Sequence, residues 1–168
     1  NNGGDTPMFW TAQNSHVEIV KLLLANKASV DLANNGGYTP MFLAARNSHV
    51  EIVKLLLANK ASVDLAANDG STPMFVAAQE GNGEVVKVLL TNKASVDLAD
   101  NEDFTPLFVA AQEGHVEVVK MLLQNKASMD LANSVRETPL SIAAQENHVE
   151  VVKLLLANKA SVDLANND

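Results

Sequence analysis

Cysteine is absent from the 168-residue chain. That excludes a disulfide scaffold, a thiolate metal site and a cysteine nucleophile, and it suits a reducing compartment, so the expected location is intracellular and cytoplasmic. Long apolar runs are also missing. Stretches such as Met74 to Ala78 and Leu22 to Ala25 end after five and four residues, far short of the roughly 18 to 20 that cross a bilayer. No membrane insertion is expected. Basic residues are scarce, with 12 Lys or Arg against 20 Asp or Glu and a formal net charge of −8. Phosphate backbones and anionic membranes call for the opposite balance, so a nucleic-acid partner is not expected. The chain opens on Asn1, with no basic segment leading into an apolar one, as in a mature or excised segment. What remains is the composition of a folded protein, 47% hydrophobic and 19% charged.

Proline is rare too, but its placement is regular. The five prolines are Pro7, Pro40, Pro73, Pro106 and Pro139, each 33 residues after the last. They divide the chain into blocks 1–33, 34–66, 67–99, 100–132 and 133–165, leaving 166–168 as the start of a further block. We treat 1–168 as a single repeat array, an excerpt of a longer one. Each block opens on Thr-Pro, which starts a helix: the Thr hydroxyl accepts from an orphan backbone N–H, and the fixed φ of proline suits the first helical position. A short helix then runs over 7–13, and Ser15, Ser48, Gly81, Gly114 and Asn147 mark the turn after it. Val17, Val20, Leu23 and Leu24 recur at helical spacing in a second helix, with Glu18 and Lys21 paired on its surface. A Gly- and Asn-rich turn such as Asn34-Asn35-Gly36-Gly37 leads to the next Thr-Pro. Helices this short are marginal alone and must stack on their neighbours.

A 33-residue unit of turn and two helices opening on TPMFWTAQNSHVEIVKLLLANKASVDLA and its four variants resembles the ankyrin repeat. The resemblance covers residues 1–165 and implies an all-α solenoid of stacked helix-turn-helix units with β-turn or hairpin connections. It also implies a non-catalytic protein-interaction role. Two departures stand out. The family's usual His after Thr-Pro-Leu is replaced by Phe9, Phe42, Phe75, Phe108 and Ser141, for which a ladder of phenyl rings packing between repeats is the expected substitute. The family's usual glycine after the second helix is replaced by Lys27, Lys60, Lys93, Lys126 and Lys159. If left-handed, each costs about 1 kcal/mol relative to glycine.

Nothing in the chain assembles into catalytic chemistry. His16, His49, His115 and His148 recur where the family places a turn histidine, and helices stacked about 8 to 10 Å apart cannot bring successive imidazoles onto one ion. Ser29, Ser62, Ser95, Ser128 and Ser161 each precede an Asp by two residues, a turn hydrogen-bonding pattern and not an activated nucleophile. The glycines lack the Gly-Lys-Ser or Gly-Lys-Thr of a phosphate loop. No cofactor, metal or enzymatic activity is expected. Trp10 stands in a column with Leu43, Val76, Val109 and Ile142 and is expected in core or end-cap packing. The last helix keeps apolar Val149, Val151, Leu154 and Leu156, so an uncapped end is expected to be open to self-association.

Positions that vary between blocks are free to touch a partner. They are Asp5, Tyr38, Asp69, Ser71, Glu102, Phe104 and Glu137 at the turns, with Gln13-Asn14, Arg46-Asn47, Gln79-Glu80, Gln112-Glu113 and Gln145-Glu146 at the ends of the first helices. By resemblance, these turn tips and the concave face of the first helices carry binding. Tyr38 and Phe104 are expected as exposed aromatic anchors, against the alternative that Phe104 folds back on its own helices. The repeated Glu18, Lys21, Lys27 and Asp31 cancel, so the net charge lies in the variable positions, mostly in blocks three to five. The expected partner is a protein or peptide of basic or mixed charge, along a groove roughly 50 Å long if each repeat adds about 10 Å. The alternative is a structural spacer or self-associating segment of a longer array.

Overall fold

The computed structural model describes residues 3–164. The expected start of a sixth block at 166–168 lies outside them. Ten helices follow in pairs: α1 (Pro7–Gln13) and α2 (Val17–Ala25), α3 (Pro40–Arg46) and α4 (Val50–Ala58), α5 (Pro73–Gln79) and α6 (Gly83–Thr91), α7 (Pro106–Gln112) and α8 (Val116–Gln124), α9 (Pro139–Gln145) and α10 (Val149–Ala157). First helices stack on first helices and second on second, each pair touching the next. The result is an all-α solenoid with no strand among the described residues.

Each first helix begins as Thr-Pro dictates. Thr6, Thr39, Thr72 and Thr105 accept from the amides of Phe9, Phe42, Phe75 and Phe108 at 3.1 Å, a cap usually worth about 1 kcal/mol. In block five Ser141 answers Thr138 with a reciprocal bond to its amide, completing a capping box. The second helices stop at Asn26, Asn59, Asn92, Asn125 and Asn158, whose side-chain amides donate to the carbonyls four residues back at 2.8 Å. The following Lys27, Lys60, Lys93, Lys126 and Lys159 are left-handed, with φ from 61° to 70°, as the missing glycine implies.

The core lies between blocks. Met41, Ala44, Ile52, Val53 and Leu56 of block two and their counterparts in blocks three and four are closed to solvent. The phenylalanines are buried as expected, but they do not form an inter-repeat ladder. The ring contacts among the described residues stay within one block: Phe9 with Trp10, Tyr38 with Phe42, Phe104 with Phe108. Trp10 also departs from expectation. Its column is buried at Leu43, Val76, Val109 and Ile142, while Trp10 itself is 46% exposed, edge-on to Phe9 at 5.4 Å. That column is covered by the preceding block, and no described block precedes α1. The core reading of Trp10 is therefore corrected to a surface ring.

Polar bonds between blocks run one way. His49, His115 and His148 each place Nε2 within 2.8 to 3.0 Å of a carbonyl in the preceding block, that of Gln13, Gln79 or Gln112. A carbonyl only accepts, so Nε2 carries the proton. Asn82 does the same work in block three, donating to Ala45 and Arg46. The serines bond across blocks as well: Ser62 to Asp31, Ser95 to Asp64, Ser128 to Asp97 and Ser161 to Asp130. The expected pairing with the Asp two residues on is thus replaced by one 31 residues back. At the turns, the amides of Asn35, Asn68, Asn101 and Ser134 donate to Gly3, Gly36, Asp69 and Glu102. In each of these bonds the later block donates and the earlier accepts. The surface ion pair of Lys21 with Glu51, at 3.5 Å, runs the other way.

Candidate functional site

The turns are built by side chains that accept backbone amides. Asn34 Oδ1 takes the amides of Gly36 and Tyr38, Asp100 Oδ1 those of Glu102 and Phe104, and Asn133 Oδ1 those of Val135 and Glu137. Block three has Ala67 in that column and cannot do this. Asp69, two residues later, takes over, accepting both the amide and the hydroxyl of Ser71.

These turns set the aromatic residues. Tyr38 lies on Phe42 with ring centroids 4.8 Å apart, and Phe104 on Phe108 at 5.0 Å. Both rings are half-buried, so the expectation of free-standing anchors is corrected: each folds back on its own first helix. Ser71 is only 5% exposed, and its hydroxyl is spent on Asp69. It is a wall of the site and not a projecting contact.

Between the turn tips and first helices of blocks two to four lies a groove of about 520 Å³. Its walls include Tyr38, Phe42, Phe75 and Phe104, and its ionisable rim is Asp69, Glu80, Asp100 and Glu102 against a single Arg46. Gln79 and Gln112 add amides. Four carboxylates against one guanidinium give this face a negative field.

One rim carboxylate, Glu80, is not explained by helix stability. Asn14 and Asn47 follow α1 and α3, and their amides donate to the carbonyls of Trp10 and Leu43. In the same column Glu80, Glu113 and Glu146 follow α5, α7 and α9. A carboxylate there can donate nothing and sits at the negative end of the helix, an unfavourable placement of a few tenths of a kcal/mol to about 1. Residues that work against local stability on an exposed face are where function is sought.

The family model described as "Ankyrin repeats (3 copies)" matches residues 1–69 and 61–133, and the one described as "Ankyrin repeat" matches 136–167. The chain belongs to the ankyrin repeat family. Ankyrin repeats are generally protein–protein interaction modules and typically non-catalytic. A search of curated proteins finds no match.

In this ankyrin array the groove gathers Tyr38, Arg46, Asp69, Ser71, Gln79, Glu80, Glu102, Phe104 and Gln112 from the sequence-derived set. It does not include Asp5, Gln13, Asn14, Asn47, Glu113, Glu137, Gln145 or Glu146. Some of those are engaged elsewhere. Asp5 accepts from Asn34 at 3.0 Å and Glu137 from Asn133 at 2.9 Å, while Gln13 has its Oε1 shut away without a hydrogen-bond partner. Glu113, Gln145 and Glu146 are exposed further along the array. Sequence reasoning missed Phe42, Phe75, Val76, Asp100 and Val109 as lining. The phenylalanine column is nearly constant and the Val76 and Val109 column is apolar throughout, so both read as scaffold, while Asp100 was read only as one of the acidic variable positions. A further groove of about 660 Å³ opens between α6 and α8, where Gly83 replaces the usual valine beside Met121. Its lining mixes Glu84, Lys87 and Glu117 on the opposite, second-helix side.

Among the described residues no helix is long and apolar enough to cross a membrane, and among them no group of three or more His, Asp or Glu could hold a metal ion.

Proposed function

We propose that the chain is a non-catalytic interaction module that holds a segment of a partner protein along the groove between the turn tips and first helices of blocks two to four. The observation that carries this is the groove's makeup: aromatic walls under a rim of four carboxylates and one guanidinium. A surface of that sign attracts and orients a basic or mixed-charge segment and repels nucleic acid. The chemistry of an extended peptide suits a groove of about 520 Å³, within the range of pockets that bury most of a small ligand.

The test uses a labelled ten-residue peptide of alternating lysine and serine, read by fluorescence polarisation at low and high salt. Binding is expected to weaken as salt rises and to fall about tenfold in a Glu80→Gln, Glu102→Gln double variant, the loss of roughly 1.4 kcal/mol. Equal affinity of both proteins at every salt concentration overturns the acidic-groove reading.

A second reading, a spacer or self-associating segment of a longer array, is favoured by one observation. Apolar side chains are exposed on the outermost described blocks: Trp10, Leu22 and Leu32 at one side, Val149, Leu156 and Val162 at the other. Sedimentation equilibrium separates the two readings, since association growing with concentration and without a partner supports the second.

A further inference from the structure

One column of the repeat places a residue four positions before the first-helix phenylalanine, or before Ser141 in block five: Asp5, Tyr38, Ser71, Phe104 and Glu137. In blocks two and four that residue is an aromatic ring laid over the phenylalanine, at centroid distances of 4.8 and 5.0 Å and interplanar angles of 38° and 46°. Block three holds its phenylalanine in the same way, with the amide of Phe75 bonded to Thr72 at 3.1 Å, matching Phe42 and Phe108. Over Phe75, however, the chain supplies only Ser71. That serine cannot take the ring's place, because its hydroxyl and amide are both turned to Asp69.

The seat over Phe75 therefore lacks its ring, and it opens into the groove, where Phe75, Ser71 and Val76 are lining residues between Tyr38 and Phe104. The two flanking rings are occupied on their own phenylalanines, and Asx-type turns hold their backbones: the amide of Tyr38 is 3.1 Å from Asn34 Oδ1, that of Phe104 2.9 Å from Asp100 Oδ1. Phe75 is 7% exposed, slightly more than Phe42 at 4% and Phe108 at 1% under their own rings. The molecule thus shows twice what chemistry fits on this phenylalanine. It is an aromatic ring in a tilted stack, the arrangement that ring quadrupoles favour.

We infer that the vacant seat over Phe75 takes an aromatic side chain of the bound segment, with basic residues on either side of it meeting Asp69, Glu80 and Glu102. This rests on the groove reading and narrows it from a charge preference to a motif: an aromatic residue flanked by lysine or arginine. Charge brings the segment in, and the ring sets its register.

The probes are the alternating lysine–serine peptide with its central residue replaced by tyrosine, tryptophan, leucine, arginine or alanine. Tyrosine and tryptophan peptides are expected to bind the unmodified protein about tenfold tighter than the alanine peptide, and tighter than the leucine and arginine peptides. Ser71→Phe restores the ring that blocks two and four carry. It is expected to abolish the aromatic advantage, so that the tyrosine and alanine peptides bind the variant alike. A melting curve checks that this variant is folded, and nuclear Overhauser contacts from the peptide ring to Phe75 and Val76 in the unmodified protein give a readout that does not depend on it. Equal affinity for tyrosine and alanine peptides, a preference for leucine or arginine, or an aromatic advantage that survives in folded Ser71→Phe overturns the inference. If the peptides bind equally and salt-sensitively, only the seat falls; if none binds, the groove reading falls with it.

Discussion

The carboxylate of Asp31 holds Ser62 of the following block, accepting its amide at 3.1 Å and its hydroxyl at 2.7 Å, although Ser29 lies only two residues before it in the chain. The same step is taken from Asp64 to Ser95, Asp97 to Ser128 and Asp130 to Ser161. A motif that looks local in the chain is therefore a rivet between units.

That geometry predicts where coupling lies. In a double-mutant cycle, Asp64→Ala and Ser95→Ala should show an interaction energy of about 1 kcal/mol, as for partly solvated hydrogen bonds. Asp64→Ala with Ser62→Ala should be additive. Urea denaturation measures both, and coupling confined to Asp64 and Ser62 would contradict the inter-block pairing.

The left-handed lysines carry a cost that glycine does not. Lys93 has φ 64°, so Lys93→Gly should stabilise the array by about 1 kcal/mol. For a chain of this length the melting temperature should then rise by roughly 2 to 4 °C. Calorimetry checks it, and an unchanged or lowered transition would mean that the lysine side chain gives back more than the backbone loses.

Gly70 shows the opposite case. It has φ 85°, and an added Cβ would stand 2.8 Å from the backbone nitrogen of Asn101. Gly70→Ala should lower stability by about 2 kcal/mol, from left-handed strain and the loss of the amide bond across the turn. Block four tolerates left-handed Asp103 in this column, with φ 64°, beside Ser134 where other blocks have asparagine. Asp103→Gly is accordingly expected to be neutral or stabilising in the same denaturation series.

The histidines act as donors between blocks, and asparagine is a natural substitute. His115→Ala should cost about 1 kcal/mol by stranding the carbonyl of Gln79, now 2.9 Å from Nε2. His115→Asn should cost less, following the precedent of Asn82. Thermal melts of the two variants decide this; equal losses would show that ring packing over Gly81, and not the hydrogen bond, is what matters.

Much of the fold could be read because each column is written five times. The prolines fixed the period, the threonines the caps, and the lysines after Asn26 and its equivalents the left-handed stops. What could not be read was which neighbour a side chain meets. Trp10 looks like a core residue in its column, but burial there comes from a preceding block. Ser29 and Asp31 look like partners because they are close in sequence, whereas stacking brings together residues 31 apart. The turn aromatics were singled out correctly as unusual, yet their folding back onto Phe42 and Phe108 depends on backbone turns made by Asn34 and Asp100. The groove itself was legible only in part, since Phe75 is unremarkable until Ser71 is seen to stand where blocks two and four carry a ring.

The one-way run of hydrogen bonds between blocks gives the molecule a grammar. Each unit offers hooks on one face and eyes on the other, so a unit can be inserted, deleted or appended anywhere with its neighbours' bonding needs met. A unit docked back to front would set donor against donor. Growth and shortening by whole repeats are permitted by this chemistry, and inversion is forbidden.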